Sequence, residues 1–339
     1  MTNRSTLKNT HIPIVSVNNL HIHFPVRQGV FNKVTGYIKA VDGVSFSIKR
    51  GEIFALVGES GCGKTTTAQA IAGLLPTTSG SITFSFSDHG ITEFSWKYAD
   101  KTIRTSARKQ IQMIFQDPYS SLNPRMTVKT ILEEPLRIHR RESRSERFDH
   151  IIKLLDMVGL SKEYLNRYPH EFSGGQRQRI GIARALATDP VFIIADEPVS
   201  ALDVSIQAQI INLLQELREH YNQTQLFISH DLAVVRHMAD TIAVMYHGKI
   251  VEYGSESTLF TAPLHPYTIL LLESVPVTGN GRKKRGRTEP NEYTANDETF
   301  YGCLFYPRCS RRKEACKMTS PELHKYTTDH GVACFNPVE

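Results

Sequence analysis

The chain has 339 residues, 40% of them hydrophobic and 22% charged, with a formal charge of +6. That balance excludes collagen-like, disordered and membrane-embedded classes, and no apolar run approaches the ~18 residues of a membrane span; the best is Tyr267 to Leu272. At roughly 150 residues per domain the length predicts about two domains, or one with an appendage.

Met1 to Thr10 is polar and lacks the apolar centre of a signal peptide. From Ile12 to Phe46 the chain is rich in β-branched residues and alternates apolar with polar ones, which predicts strands. Residues 52–59 read as a buried strand running into a glycine-rich turn, and a helix follows until Gly73 and Pro76. The polar stretch Thr77 to Lys109 predicts short strands and loops, and residues 111–117 another apolar strand. The region from Thr127 to about Ala187 is helical in pattern. Within it Phe148, Ile151, Ile152, Leu155 and Val158 form one stripe that Gly159 ends. An apolar strand over 190–196, an amphipathic helix carrying Ile206, Ile210, Leu213, Leu214 and Leu217, and a strand-rich end complete an α/β unit with a helical insertion. The run Thr278 to Asn296, with its basic "RKKRGR", reads as a solvated linker.

Gly58-Glu59-Ser60-Gly61-Cys62-Gly63-Lys64-Thr65, followed by Thr66, fits G-x-x-x-x-G-K-[ST] between a strand and a helix. Its glycines let backbone amides point at an anion, and the helix N-terminus adds its dipole. Lys64 is placed to reach the outer phosphates of ATP and the Thr65 hydroxyl to reach Mg2+. Cys62 reads as filling a small space in the loop. Asp196 ends the apolar strand as a second Mg2+ ligand, and Glu197 beside it suits a general base that polarises water.

The segment Glu171-Phe172-Ser173-Gly174-Gly175-Gln176 resembles the LSGGQ signature of ABC transporter ATP-binding subunits, with Phe172 in the leucine position. The resemblance runs from about Ile12 to Phe260. It implies a P-loop NTPase of the ABC class with an antiparallel β subdomain, a helical insertion at about 117–187, and a cassette over 1–262. It also implies a head-to-tail dimer in which Ser173, Gly174, Gly175 and Gln176 meet ATP bound by the other subunit. Gln116 in "FQDP" matches the Q-loop, implied to contact Mg2+ and the attacking water. Ser200 and Asp203 of "SALD" match the D-loop, and His230 of "ISHD" the switch histidine, implied to touch the γ-phosphate. The family stacks adenine on an upstream aromatic, and Phe31 and Tyr37 are both candidates.

"QDPYSSLNPRMTV", "EPVSALDVSIQAQIINLL" and "PLHPYTILLLESVP" are similar to oligopeptide and dipeptide importers, most of all to the second of their paired ATPases. Nickel importers and antimicrobial-peptide uptake systems share these features. The resemblance implies an extension over 263–339, two membrane permeases, a second ATPase subunit (or a homodimer), an extracytoplasmic solute-binding protein, and a peripheral place on the cytoplasmic face of the membrane. A non-transport ABC ATPase working on nucleic acid or the ribosome is the rival, resting on "RKKRGR" and on Arg137, Arg140, Arg141, Arg144 and Arg147. Those runs read first as solvated faces.

Of five cysteines, Cys303, Cys309, Cys316 and Cys334 crowd the C-terminal end. Four thiolates suit a [4Fe–4S] cluster or tetrahedral Zn2+, with free thiols the third reading. The absence of a C-x2-C pair weakens zinc, and the peptide-importer extension, some members of which hold a [4Fe–4S] cluster, implies iron–sulfur. Disulfides fit poorly with an ATP-using protein of the cytosol.

Overall fold

In chain order the computed structural model, which describes residues 13–29, 31–86, 91–140, 142–274 and 301–338, opens with β1 (Val15–Gln28) and β2 (Lys33–Ile48). Next come β3 (Ile53–Val57), α1 (Lys64–Ile71), β4 (Ser79–Phe86), β5 (Ile91–Phe94), α2 (Lys101–Gln110) and β6 (Ile111–Ile114). Helices α3 (Val128–His139), α4 (Arg144–Met157) and α5 (Gly174–Leu186) precede β7 (Phe192–Asp196), α6 (Val204–Tyr221) and β8 (Thr224–Ser229). The last stretch holds α7 (Leu232–Met238), β9 (Thr241–Tyr246), β10 (Lys249–Ser255), α8 (Glu256–Thr261), α9 (Pro266–Glu273), α10 (Ala315–Met318), β11 (His324–Thr327) and β12 (His330–Val332). The chain divides into two compact units, one of residues 1–18, 45–53 and 81–226, the other of 19–44, 54–80 and 227–339. The segments 1–12 and 275–300, which include the polar start and the basic linker, lie outside the described residues.

In the first unit β6 and β7 pair in parallel, from Ile111 opposite Phe192 to Ile114 opposite Ala195. All five β7 residues are buried, which is why that strand reads as an unbroken apolar run. Helix α4 starts at a reciprocal cap: the Ser143 hydroxyl accepts the Glu146 amide and the Glu146 carboxylate accepts the Ser143 amide. Its buried residues are Ile151, Leu154 and Leu155, while Phe148 is 43% exposed, so the apolar stripe is rotated from the one read in the sequence. Phe84, Phe86, Phe94 and Trp96 form an aromatic cluster, with Phe84 and Phe94 stacked at 4.8 Å.

The stretch expected to hold only strands and loops up to Lys109 contains α2. Asp100 caps it by accepting the Ile103 amide, and its buried residues are Ala107 and Gln110. A polar glutamine in the inward position conceals the helical period.

In the second unit β3 and β9 run parallel, Phe54 opposite Thr241 through Val57 opposite Val244. β9 turns into antiparallel β10 through His247 and Gly248, both with positive φ (43° and 81°), the signature of a tight two-residue hairpin. β12 adds to the free edge of β10, Glu252 opposite Val332, and β11 pairs with β12. Glu252 is fully buried, yet its carboxylate accepts the amides of Leu264 (2.7 Å) and His265 (2.9 Å) and the His330 Nε2 proton (2.8 Å). These bonds satisfy a charge that would otherwise be costly inside a protein.

Candidate active site

The glycine-rich turn lies in the second unit between β3 and α1, as its spacing predicts. Gly63 precedes α1 at φ 108°, and a Cβ there would sit 2.2 Å from the Ala40 carbonyl oxygen. Gly58 is as confined, its Cβ position 2.2 Å from the Met245 carbonyl oxygen and 2.8 Å from Cys62 Sγ. Only glycine fits either place. Lys64 is 4% exposed, and its ammonium donates to the carbonyls of Gly58 (2.8 Å) and Glu59 (2.9 Å). The loop thus stores its own cation within itself. Cys62 is buried, and burial pushes its thiol pKa up, which fits a space-filling role better than a reactive one. Thr65 and Thr66 open α1 at partly exposed positions, and Ser60 and Gly61 face solvent.

The carboxylates occupy the first unit. Asp196 closes β7 and is 3% exposed. Glu197 follows it at φ 45°, a left-handed backbone that glutamate rarely adopts, and Gln116 Nε2 donates to its Oε2 at 3.0 Å. Gln116 leaves the end of β6 and Glu197 the end of β7, so the parallel pairing of the two strands brings them together. Ser200 Oγ and the Ser200 amide both donate to the Glu197 carbonyl (3.1 and 3.3 Å), and Gln207 Nε2 donates to the carbonyls of Val199 and Leu202. Asp203 sits exposed at the start of α6.

The segment 173–176 begins α5. The Ser173 hydroxyl accepts the Gln176 amide and Gln176 Oε1 accepts the Ser173 amide, a reciprocal cap. Phe172 is 5% exposed and meets Tyr164 edge-on at 5.4 Å, which accounts for an aromatic where leucine is usual. Gly175 is fixed by packing, not backbone: a Cβ would lie 2.4 Å from Ile206 Cγ2 on α6. The segment after Gln116 is tied to the same helix. Arg177 stacks over the Tyr119 ring at 4.1 Å, and Arg184 donates to the Ser121 carbonyl at 2.6 Å.

His230 is exposed directly after β8. Phe31 is 95% exposed and Tyr37 56%, so both proposed adenine partners stand open to solvent beside the β1–β2 turn. Two residues that no local pattern singles out touch the phosphate loop. The Tyr267 hydroxyl accepts the Glu59 amide at 2.9 Å, and Arg308 grips the Glu59 carboxylate with two bonds of 2.8 and 2.9 Å. Arg308 holds that carboxyl below the usual carboxylate range. They escape sequence inspection because 208 and 249 positions separate them from Glu59.

None of the four C-terminal cysteines is paired in a disulfide, and each sulfur accepts a backbone amide: Phe305 to Cys303, Arg311 to Cys309, Lys313 to Cys316 and Asn336 to Cys334. Burial pushes the Cys303 thiol up to about 11, with the neighbouring Cys316, Cys309 and Cys334 adding to the shift. Among the described residues no three of these sulfurs lie within 4.8 Å of one another. Sulfurs around a single tetrahedral ion, ~2.3 Å from it, would stand about 3.8 Å apart. His21, His23 and Asp42 do come within 4.8 Å, but Lys249 Nζ already stands 3.6 Å from Asp42, supplying positive charge there.

Comparison with known proteins agrees with this arrangement. Residues 41–200 match the ABC transporter family model, and residues 251–316 match the oligopeptide/dipeptide transporter C-terminal region. The oligopeptide transport ATP-binding protein AppF of Bacillus subtilis (strain 168) is 49% identical, over 95% of this chain and 96% of its own. A dipeptide transport ATP-binding protein, DppF of Haemophilus influenzae, is 42% identical over 96% and 97%. Among solved structures, the ATP-binding cassette MJ0796 in a post-hydrolysis dimer with ADP and Pi superposes at a TM-score of 0.62. It is 30% identical and covers 71% of this chain and 98% of its own. Among the described residues no helix is long and apolar enough to cross a membrane. The chain belongs to the ABC transporter ATP-binding proteins, in their oligopeptide/dipeptide branch.

Proposed function

We propose that this chain is the ATP-hydrolysing subunit that powers import of oligopeptides or dipeptides, with 1–262 as the cassette and 263–339 as the importer extension. The observation that carries the chemistry is the Gln116–Glu197 contact at the ends of two paired parallel strands. Glu197 is the general base, accepting a proton from the attacking water, and the Gln116 amide orients its carboxylate. Residues 58–66 wrap the phosphates, and Lys64 leaves the Gly58 and Glu59 carbonyls for the phosphate oxygens. Thr65, Gln116 and Asp196 offer the hard oxygen donors that Mg2+ prefers; the ion neutralises phosphate charge when bound. His230 touches the γ-phosphate, and Phe31 or Tyr37 stacks the adenine.

The capped, glycine-rich start of α5 is a second phosphate-binding helix N-terminus, so Ser173 to Gln176 serve ATP held by a partner subunit, with Ser200 and Asp203 alongside. That partner is a second ATPase of the same family. Two permeases and an extracytoplasmic binding protein complete the importer, and this subunit works at the cytoplasmic face of the membrane. A [4Fe–4S] cluster on Cys303, Cys309, Cys316 and Cys334 is part of the proposal. What supports it is the match of residues 251–316 to the transporter C-terminal region and four sulfurs in mutual electrostatic reach, each with an amide donor.

Glu197→Gln is expected to slow ATP hydrolysis by about 10²–10⁴ while ATP-bound dimers accumulate; hydrolysis at the unsubstituted rate would remove Glu197 as the base. Co-purification from membranes, followed by identification of the permeases and of the binding protein's ligand, tests the peptide assignment. Iron and labile sulfide measured after anaerobic purification test the cluster.

A further inference from the structure

Glu59 is held from three directions, all within the second unit. Its amide donates to the Tyr267 hydroxyl, its carbonyl accepts the Lys64 ammonium, and its carboxylate takes both arms of the Arg308 guanidinium. Arg308 ends the short turn Tyr306–Arg308 and directly precedes Cys309. That turn is fixed on both sides. Phe305, 3% exposed, packs against Tyr246 at 5.4 Å and Tyr267 at 5.5 Å, while the Cys303 amide donates to the Cys316 carbonyl at 2.7 Å. One short path of packed groups therefore leads from the cysteine segment through Arg308 and Glu59 to Lys64.

We propose that Arg308 is a positioning residue for nucleotide: it cancels the Glu59 charge at the mouth of the phosphate loop and couples the cysteine segment to ATP affinity. An unpaired carboxylate next to Gly58 repels an incoming triphosphate, and a bidentate guanidinium neutralises it while fixing its direction. The coupling is reciprocal by linkage. If the docked segment favours ATP, ATP favours the docked segment by the same factor.

The inference rests on residues 58–66 being the phosphate loop, which MgATP binding by the unsubstituted full chain tests separately. With Arg308→Ala in the full chain, the Kd and KM for MgATP are expected to rise about 3- to 10-fold, a range held down by the partial exposure of the pair, with kcat within about twofold. Arg308→Lys, which keeps the charge but loses the fork, should fall between. Adding Glu59→Gln to Arg308→Ala removes the uncompensated charge and should recover most of the lost affinity. A merely structural role for Arg308 would leave the double variant as weak as the single one. Hydrogen exchange supplies a readout independent of turnover: MgATP should slow exchange of amides in 301–316, and Arg308→Ala should abolish that protection. Unchanged ATP affinity in Arg308→Ala, no recovery in the double variant, or exchange in 301–316 that ignores MgATP would each overturn the proposal. If Arg308→Ala does not fold, Arg308→Gln, which keeps the side-chain length but drops the charge, with and without Glu59→Gln carries the same comparison.

Discussion

His265 is 2% exposed, and its Nδ1 accepts the Tyr267 amide as the cap of α9. Burial pushes its pKa down to about 4, so the folded chain keeps the ring neutral. The unfolded chain takes up a proton near pH 6.5, and between those two values it binds more protons than the folded one. Stability is therefore full above pH 6.5 and falls as pH drops, by about 2 kcal/mol at pH 5. Urea titrations at pH 7 and pH 5 should show that difference, and His265→Asn, which preserves a cap acceptor, should flatten it. Equal pH dependence in the two proteins would assign the effect elsewhere. Nothing in the sequence exposes this histidine, because its burial comes from distant partners such as Phe305, 5.7 Å away ring to ring. Lys64, by contrast, is marked out in the sequence by the spacing of its glycine-rich loop, although its burial against the Gly58 and Glu59 carbonyls is seen only in the fold.

At the scale of elements, what can be read from sequence is what local chemistry decides. β7 is written as an apolar run because both its faces are covered, and the start of α5 as a serine with glutamine three residues on. α2 escapes because Gln110 occupies an inward position, and α4 is rotated because Leu154, not Phe148, faces in. The glycines of the signature read as backbone for phosphate, yet Gly175 has a second reason that only packing shows: α5 crosses α6 too closely for a side chain. Gly175→Ala should force Ile206 aside and cost about 1–3 kcal/mol, the range of an overpacked contact. Trimming the obstacle with Ile206→Ala in the same chain should return part of that loss. Thermal unfolding of the single and double variants measures the coupling, and strictly additive effects would show that the two residues do not meet.

For the whole molecule, the arithmetic of length suggested a domain with an appendage, and the described part of the extension is built into the second unit more deeply than that image allows. β12 completes the edge of β10, Phe305 is buried beside Tyr267, and the fully buried Glu252 carries a bond from His330 at 2.8 Å. The stretch Pro263 to Pro276 makes the extension visible in the sequence, but its edge strand is only His330–Val332, too short to announce itself. A chain ending after residue 274 keeps the Leu264 and His265 amides on Glu252 but loses His330, and it bares the β10 edge. Removing one partner of a buried charge costs about 3–5 kcal/mol, so this shortened chain should unfold well below the full one or aggregate through the open edge. His330→Ala in the full chain separates the two causes, because it removes the partner and leaves the strand pairing. If the shortened chain matched the full chain in urea midpoint, the extension would be an appendage after all. If His330→Ala reproduced most of the loss, the buried Glu252–His330 hydrogen bond, not the strand, would be what joins the extension to the cassette.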